Sequence, residues 1–435
     1  MMINNENQSG LYERLRLQPS IVCYLNKIGE SIKKFQLIKY LGPAFVVSVA
    51  YIDPGNFATN ISAGSAFNYS LIWVILWSNI MAIFLQIISA KLGIVTGYNL
   101  PQMCSKVFSK KVNWFLWIVA ELAAIATTLA EFLGGALGLY LLFKTPLIYA
   151  GLLTGMITFL ITYMEKYGQR VVELVISLLV GVICIAYGLE LFLAKPDWVQ
   201  IGIHTFIPTL ENGGAVLIAV GMLGATVMPH VIFLHSQLVQ CRNNDKNDEY
   251  RRRHLQMEKI DVIIAMNIAF IVNAAMVIVS AAIFYSKGVQ VDTIEQAHES
   301  LKPLLGPMSS VAFAVALLAS GFSSSAVGTM AGETVMDGFI EVKIPLLVRR
   351  LITMVPAIVI ISSGINPMKA LIISQVSLSF ALPAAIIPLM LVTGREDIMG
   401  KFVNRPLTKL FGWLTTGIII GLNCLLLFLT FNGGV

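Results

Sequence analysis

Three side chains in the apolar part of the sequence carry groups that a metal ion would use as ligands. Asp53 and Asn56 lie in the sequence AYIDPGN at residues 50–56, and Met228 lies in GMLGATVMPH at residues 221–230. A carboxylate inside a hydrophobic span costs about 3 kcal/mol unless something offsets its charge, and a bound cation would do so. The Asn56 amide oxygen is a neutral hard ligand, whereas the Met228 thioether favours transition metals over Mg²⁺ and Ca²⁺. These residues predict a site for a divalent transition-metal ion.

Each of the three residues also has a plainer structural explanation. Aspartate before proline is a good N-cap, so Asp53 could simply cap a helix that starts at Pro54. Serine or threonine would cap that helix without a buried charge, which favours the ligand role. An isolated asparagine more often joins two membrane helices, and methionine is usually packing filler in a chain that contains 18 of them. What distinguishes Met228 is its place next to the proline at 229, opposite Asp53.

The prolines at 54 and 229 are expected to interrupt the helices that position these ligands. Proline removes a backbone donor and moves the preceding residue out of the α region. We therefore predict that the first and sixth membrane helices are broken halfway across. Unwound backbone at membrane depth is tolerated only where protein or water satisfies it, so its carbonyl groups become available as ligands.

The composition places these elements in a lipid bilayer. Of 435 residues, 57% are hydrophobic and 12% are charged, and the mean hydropathy is +0.78, which excludes an ordinary water-soluble core. Apolar runs long enough to cross about 30 Å of hydrocarbon predict an all-α polytopic membrane protein with eleven transmembrane helices. They lie near residues 41–66, 71–97, 112–140, 145–163, 171–194, 213–240, 260–286, 308–338, 345–362, 369–393 and 410–430.

The distribution of basic residues predicts the orientation of the chain. Of 30 lysines and arginines, 25 fall in the N-terminal segment and every second connection, and five fall on the other side. Basic residues near helix ends stay in the cytoplasm, so we expect a multi-pass cell-membrane protein with a cytoplasmic N-terminus and an external C-terminus. The net charge of +6 is then a topology signal, and we expect no nucleic-acid partner. Five cysteines without zinc-site spacing predict neither a disulfide framework nor a zinc site.

The two predicted breaks divide the chain into similar halves. One opens the first five helices and the other opens the next five, a pattern that indicates an inverted-repeat transporter. We expect a cytoplasmic tail and pre-helix segment over residues 1–40, followed by one transporter domain over 41–435. Within that domain the first repeat covers 41–194, the second covers 213–393, and an extra helix covers 410–430.

The motifs together resemble those of one known family. The sequences DPGN at 53–56, ATVMPH at 225–230 and LHS at 234–236 are similar to those of the Nramp family of divalent metal transporters. The resemblance extends from about residue 40 to residue 395. It implies a leucine-transporter-like fold with two five-helix repeats. It also implies a metal held by the side chains of Asp53, Asn56 and Met228 and the carbonyl of Ala225, joined in some states by the Ala50 carbonyl or the Gln375 amide.

The family transports protons together with the metal, and several residues are candidates for carrying them. Asp53 could bind a proton itself, and His230 beside the break could relay one; the alternative for His230 is a hydrogen bond between helices. For His235, further towards the cytoplasm, that alternative is stronger. Glu131 is an acid in the middle of the third helix and a functional candidate for that reason. Two arginines could pair with it or could be positive-inside anchors, namely Arg349 and Arg350.

Two positions depart from the family pattern. Thr128 stands where the family commonly has an aspartate, and threonine cannot carry a charge. Either Glu131 then acts alone or proton coupling is looser. Val231 stands where relatives often have asparagine, which affects hydrogen bonding near the second break and leaves the metal ligands unchanged.

The sequence therefore predicts a secondary transporter that imports Mn²⁺, and related ions such as Fe²⁺, in symport with protons by alternating access. Metal and protons are its substrates, and we expect neither a cofactor nor an obligatory protein partner. A transporter of the same fold for an organic cation or an amino acid is one alternative, and a magnesium-transporting relative is another. The thioether of Met228 argues against both. An enzyme is not expected, because the metalloprotease, serine-hydrolase and ATP-binding motifs are missing from the sequence.

Overall fold

We analysed the fold in a computed structural model, which describes residues 42–163, 169–240, 247–341 and 346–434. These residues are almost entirely helical, and no β-strand occurs among them. The predicted N-terminal tail, residues 1–40, lies outside the described residues. So do parts of three basic connections, residues 164–168, 241–246 and 342–345.

The helices follow one another along the chain with short connections. In chain order, numbered from the first described helix, they are α1 Pro43–Ala50, α2 Pro54–Phe67, α3 Ile72–Thr96, α4 Leu100–Val107, α5 Lys110–Phe143, α6 Leu147–Tyr163, α7 Gln169–Ala194, α8 Trp198–Phe206, α9 Gly213–Thr226, α10 Pro229–Gln240, α11 Asp248–Ile283, α12 Ile294–Leu305, α13 Pro307–Ile340, α14 Leu346–Ser362, α15 Pro367–Thr393, α16 Glu396–Met399 and α17 Pro406–Phe431.

Every predicted apolar run coincides with one of these helices or with a pair of them. Eight helical segments of the described chain are long and apolar enough to cross a membrane. The runs predicted at 41–66, 145–163 and 345–362 fall on shorter helices, so the total of eleven spans stays a prediction. Large apolar side chains cover the outside of the bundle, with Phe192 83% and Leu407 79% exposed, as expected of a surface in contact with lipid.

Both predicted helix breaks are present. Helix α1 ends at Ala50 and α2 begins at Pro54, and Asp53 caps α2 by accepting a hydrogen bond of 2.8 Å from the Asn56 N–H. Helix α9 ends at Thr226, where the Val227 N–H still donates to the Leu223 carbonyl at 2.8 Å. Helix α10 starts at Pro229. In each case the proline is the first residue of the second half, the position where its missing N–H costs least.

Glycines let α5 approach its neighbours closely. A Cβ atom on Gly138 would lie 2.7 Å from Leu318 Cα, and one on Gly321 would lie 2.5 Å from the Gly135 nitrogen. These contacts bring α5 and α13 together along small residues, as is common in membrane helices. Gly134 in the same stretch of α5 lies against the Pro54 ring. Helix α5, the third membrane helix, therefore packs directly against the first break.

Candidate metal-binding site

Asp53 is the charged centre of the site. Its side chain is 0% exposed and accepts hydrogen bonds from the Asn56 N–H at 2.8 Å, from Asn56 Nδ2 at 2.8 Å and from Gln375 Nε2 at 3.1 Å. Within the described chain no lysine, arginine or histidine forms an ion pair with it. Neutral donors therefore surround a carboxylate that lacks a counter-charge, and such an arrangement suits a cation.

Asn56 connects the two helix breaks. Its Nδ2 lies 2.8 Å from an Asp53 carboxylate oxygen and 3.1 Å from the Ala225 carbonyl oxygen. Asp53 belongs to the first break, and Ala225 is the second-last residue of α9 at the second break. Met228 follows three residues later, in the two-residue gap before α10, and its side chain is 0% exposed. The contacts of Asn56 thus bring three of the four principal predicted ligands together.

Two buried amide oxygens at this place have no hydrogen-bond partner in the described structure. They are Asn56 Oδ1 and Gln375 Oε1, and each belongs to an amide whose nitrogen faces Asp53. The oxygen and nitrogen ends of an amide are nearly the same shape. Rotating either amide would therefore place its oxygen beside the carboxylate, where a cation could bind to both. Gly55 leaves room for this arrangement, because a Cβ atom there would overlap the Gln375 side chain.

The donors combine hard and soft chemistry. Asp53 offers a carboxylate, Asn56 and Gln375 offer amide oxygens, Ala225 offers a carbonyl, and Met228 offers a thioether. No cluster of three or more His, Cys, Asp or Glu residues with metal-site geometry occurs in the described residues. Of the donors named here, Asp53 is the one that carries a negative charge. One carboxylate with neutral oxygens and a sulfur atom suits a first-row transition dication better than Ca²⁺ or Mg²⁺.

The unwound residues after Ala50 are held by other helices. The Tyr51 carbonyl accepts a hydrogen bond of 2.6 Å from Asn273 on α11, and the Ile52 carbonyl accepts one of 2.5 Å from Ser320 on α13. Neither donor was predicted from the sequence, although an asparagine in the middle of a hydrophobic run was an available signal. Ala50 itself, the last residue of α1, is buried. The two carbonyls that follow it are already taken, which leaves the Ala50 carbonyl as the predicted backbone ligand of this break.

His230 and Glu131 are both buried, and the structure gives them different neighbours. Nδ1 of His230 lies 3.2 Å from the Thr127 hydroxyl on α5, a contact between helices of the kind that was one alternative. The Glu131 carboxyl lies against α13, where a Cβ atom on Gly328 would be 2.6 Å from Oε2. Thr128, at the position that departs from the family pattern, donates to the Ala124 carbonyl at 2.9 Å. The side chains of Arg349 and Arg350 lie outside the described residues, so their pairing with Glu131 stays a prediction.

His235 belongs to a row of buried polar side chains that starts at the first break. Gln86 Nε2 donates to the Tyr51 hydroxyl at 2.6 Å, and Gln86 Oε1 lies 2.9 Å from Nδ1 of His235. Nε2 of His235 lies 2.9 Å from a carboxyl oxygen of Glu258 on α11. Two members of this row were not predicted from the sequence, namely Gln86, a polar residue inside an apolar run, and Glu258, just before another. Val231, at the second departure, is fully buried.

Comparison with known proteins agrees with these features. Residues 44–429 match the model of the Nramp family, described as natural resistance-associated macrophage protein-like. The chain belongs to the Nramp family. It is 70% identical over 397 residues to the divalent metal cation transporter MntH of Clostridium acetobutylicum, covering 91% of this chain and 92% of that one. The resemblance predicted from the sequence motifs is confirmed.

Solved structures agree on the fold. The manganese transporter of Eremococcus coleocola, in complex with an aromatic bis-isothiourea substituted compound, matches with a TM-score of 0.81 and 34% identity, covering 89% of this chain and 85% of that chain. The nucleobase-cation-symport-1 family transporter Mhp1 matches with a TM-score of 0.59 and 16% identity, covering 89% and 90%. The second likeness concerns the fold alone. The predicted all-helical membrane transporter fold with two broken helices is confirmed.

Proposed function

We propose that this Nramp protein imports divalent transition-metal ions, with Mn²⁺ as the main substrate and Fe²⁺ as a related one. The observation that carries the proposal is the buried Asp53 carboxylate, which has no cationic partner in the described chain and lies beside two unpaired amide oxygens. The Nramp relatives named above are a divalent metal cation transporter and a manganese transporter, which supports the same substrate class.

In this proposal the metal exchanges its water for protein ligands between the two breaks. Asp53, Asn56, Met228 and the Ala225 carbonyl hold it, and the Ala50 carbonyl or the Gln375 amide joins them as the site opens to one side or the other. Nothing is transformed covalently, so the chain acts as a transporter in the cell membrane and not as an enzyme. Access alternates when the first repeat, residues 41–194, and the second, residues 213–393, rearrange around the site. The extra helix at 410–430 lies outside both repeats.

Protons are the second substrate of the proposed cycle. Asp53 exchanges a proton for the metal, since a buried carboxylate needs one or the other to offset its charge. Buried titratable groups continue from the site in two directions, to His235 and Glu258 through Gln86, and to His230 on α10 and Glu131 on α5. Arg349 and Arg350 complete the second route in this proposal. The metal, the protons and the lipid bilayer are the partners that the mechanism needs.

The alternative substrates fit the donors less well. An organic ammonium group or an amino acid needs hydrogen-bond acceptors and gains little from the sulfur of Met228. A magnesium site is built from oxygen atoms alone, so a thioether at the second break disfavours that alternative too.

The proposal is tested by metal uptake into proteoliposomes that contain the purified chain and an internal pH dye. We expect Mn²⁺ uptake with internal acidification, weak Ca²⁺ uptake, and no uptake by Asp53→Ala. The matched control is Asp397→Ala, which removes an exposed aspartate outside the spans and should transport like the unaltered chain. Undiminished Mn²⁺ uptake by Asp53→Ala would refute the proposal.

A further inference from the structure

A second buried carboxyl group lies apart from the metal site. Glu190, near the end of α7, is 1% exposed, and its Oε1 has no hydrogen-bond partner in the described structure. Tyr187, one turn earlier on the same helix, is buried with an equally unpartnered hydroxyl group. Within the described chain no lysine, arginine or histidine forms an ion pair with Glu190. Two polar groups are thus buried near each other without a hydrogen bond between them.

These two groups line a small cavity between four helices and a connecting helix. The cavity has a volume of ≈ 10 Å³, and its walls include Ile61, Tyr187, Glu190, Ser280, Leu301 and Phe313. A space of about this size, measured for the centre of a water molecule, holds one water. The Ser280 hydroxyl already donates to the Ile61 carbonyl at 2.7 Å, and the Met276 sulfur accepts from Asn60 at 3.6 Å. Glu190 and Tyr187 remain to bind an occupant, with Ser309 beside the carboxyl group.

The chemistry of the cavity selects its occupant. A carboxylate without a counter-charge is costly in such a place unless it is protonated or hydrated. The cavity is too small for a hydrated metal ion but has room for one water. A protonated carboxyl group bonded to that water, with Tyr187 on its other side, satisfies both unpartnered groups. The protonated and ionised states of Glu190 therefore differ by one proton and by how closely the helices around the cavity can pack.

The cavity lies next to the metal site, on the side predicted to be external. Ile61 is five residues beyond Asn56, about 7.5 Å along the axis of α2. Phe57, which follows Asn56, packs edge-on against Tyr187 with 5.5 Å between ring centroids and against Phe313 with 6.1 Å. Leu301 comes from α12, the connecting helix between the spans α11 and α13. Helix α2 therefore carries the predicted ligand Asn56 on one turn and lines this cavity with the next.

We propose that Glu190, Tyr187 and one water form a proton-binding site that links external pH to the packing of α2 against α7. This proposal rests on the proposed transport function and adds a proton site on the entry side to it. The protonated carboxyl group holds one water in the cavity and keeps α2 in place. Its ionised form draws in more water and separates α2 from α7, which opens the route to Asn56. Because the two conformations differ in proton affinity, external pH shifts their populations.

The pH response of Glu190 must be distinguished from that of the other titratable groups near the cavity. On α7 the group is Tyr187, and the lining residues of α2, α11 and α13 include no titratable side chain. On α12, His298 bonds to the Ser310 hydroxyl at 2.9 Å, and its ring lies 6.5 Å from that of Phe313. Burial lowers the pKa of His298, Lys144 lowers it further, and Glu299 opposes them. The variants His298→Gln and Glu299→Gln are therefore the controls.

The first measurement needs no transport. Infrared difference spectra of the full chain in nanodiscs, recorded as pH is changed without metal, should show the carbonyl stretch of a titrating carboxyl group. Glu190→Gln should remove that band, Tyr187→Phe should shift its midpoint, and both controls should keep it. A spectrum of Glu190→Gln identical to that of the unaltered chain would overturn the proposal. Tyr187→Phe keeps the carboxyl group, so it tests the site even if Glu190→Gln folds poorly.

The second measurement separates this site from the metal site. Calorimetric Mn²⁺ affinity of Glu190→Gln should stay within about twofold of the unaltered chain, because the two sites share no ligand. Mn²⁺ uptake against external pH, at fixed internal pH, should change by up to about tenfold per pH unit for one linked proton. Glu190→Gln should flatten that profile, and an unchanged profile would contradict the proposal. Failure of the unaltered chain to bind Mn²⁺ would refute the metal site and leave the infrared result standing.

Discussion

In both helix breaks a proline begins the second half of the helix, but the protein holds the two breaks differently. At the first break, side chains from α11 and α13 hold the carbonyls of Tyr51 and Ile52, and three donors hold the Asp53 carboxylate. At the second break, the described structure provides the end of α9 with a bond from Asn56 to the Ala225 carbonyl, and His230 in the first turn of α10 contacts Thr127. The unwound backbone of the first break is thus held by α11 and α13, whereas the end of α9 is held through the first break.

The chemical contributions of the breaks differ in the same sense. In the proposed site, the first break carries the charged ligand Asp53, which would attract any cation. The second break carries the thioether of Met228 and the Ala225 carbonyl, which would discriminate between cations. Affinity and selectivity would then come from separate segments, and variants should change one without the other.

The largest effect is expected from removing the charge of the first break while keeping its cap. Asparagine caps helices as well as aspartate does, so Asp53→Asn should fold normally. Without the carboxylate it should bind Mn²⁺ at least about 100-fold more weakly, a loss of about 2.7 kcal/mol. Titration calorimetry on purified protein measures this affinity. Tight Mn²⁺ binding by Asp53→Asn would show that Asp53 is only a cap.

A smaller effect is expected from removing an anchor of the first break. Asn273→Ala leaves the Tyr51 carbonyl without its 2.6 Å donor and Asn60 without its acceptor. Leaving buried groups unpaired should lower the free energy of unfolding by about 2 kcal/mol. Thermal unfolding in detergent measures the change. Asn267→Ala, which removes an exposed asparagine of the same helix, is the matched control, and equal melting temperatures for the two variants would contradict the anchoring role.

The smallest effect is expected at the second break. Met228→Leu keeps the volume and removes the sulfur, so Mn²⁺ should lose about tenfold of its advantage over Ca²⁺. Competition between the two ions in the uptake assay measures this ratio. Met222→Leu, at a buried methionine of α9, is the matched control. If both variants keep the original ratio of Mn²⁺ to Ca²⁺ uptake, the thioether does not select the metal, and affinity and selectivity do not come from separate breaks.

The breaks themselves were predictable because proline acts locally. Pro54 and Pro229 change the backbone of their own neighbours, and no knowledge of tertiary contacts is needed to see it. The anchors were not predictable in this way. Asn273 and Ser320 lie 222 and 268 residues from the carbonyls they hold, and only the packing of whole helices brings them there.

The start of α11 shows a different limit. The apolar run begins at residue 260, yet the helix begins at Asp248. Its first turns are charged and therefore lie outside the apolar run. Hydrophobicity marks the part of a helix in lipid and says nothing of the part outside it. Glu258 therefore counted as a connection residue, although it is a buried partner of His235.

The row of polar groups from Tyr51 to Glu258 has a direction. The Gln86 amide nitrogen donates to Tyr51, so its oxygen faces Nδ1 of His235, which must then carry a hydrogen. Nε2 of His235 lies 2.9 Å from the Glu258 oxygen. A displacement of Tyr51 would therefore change the hydrogen bonds of Gln86, His235 and Glu258 in turn, and so reach α11 through side chains alone.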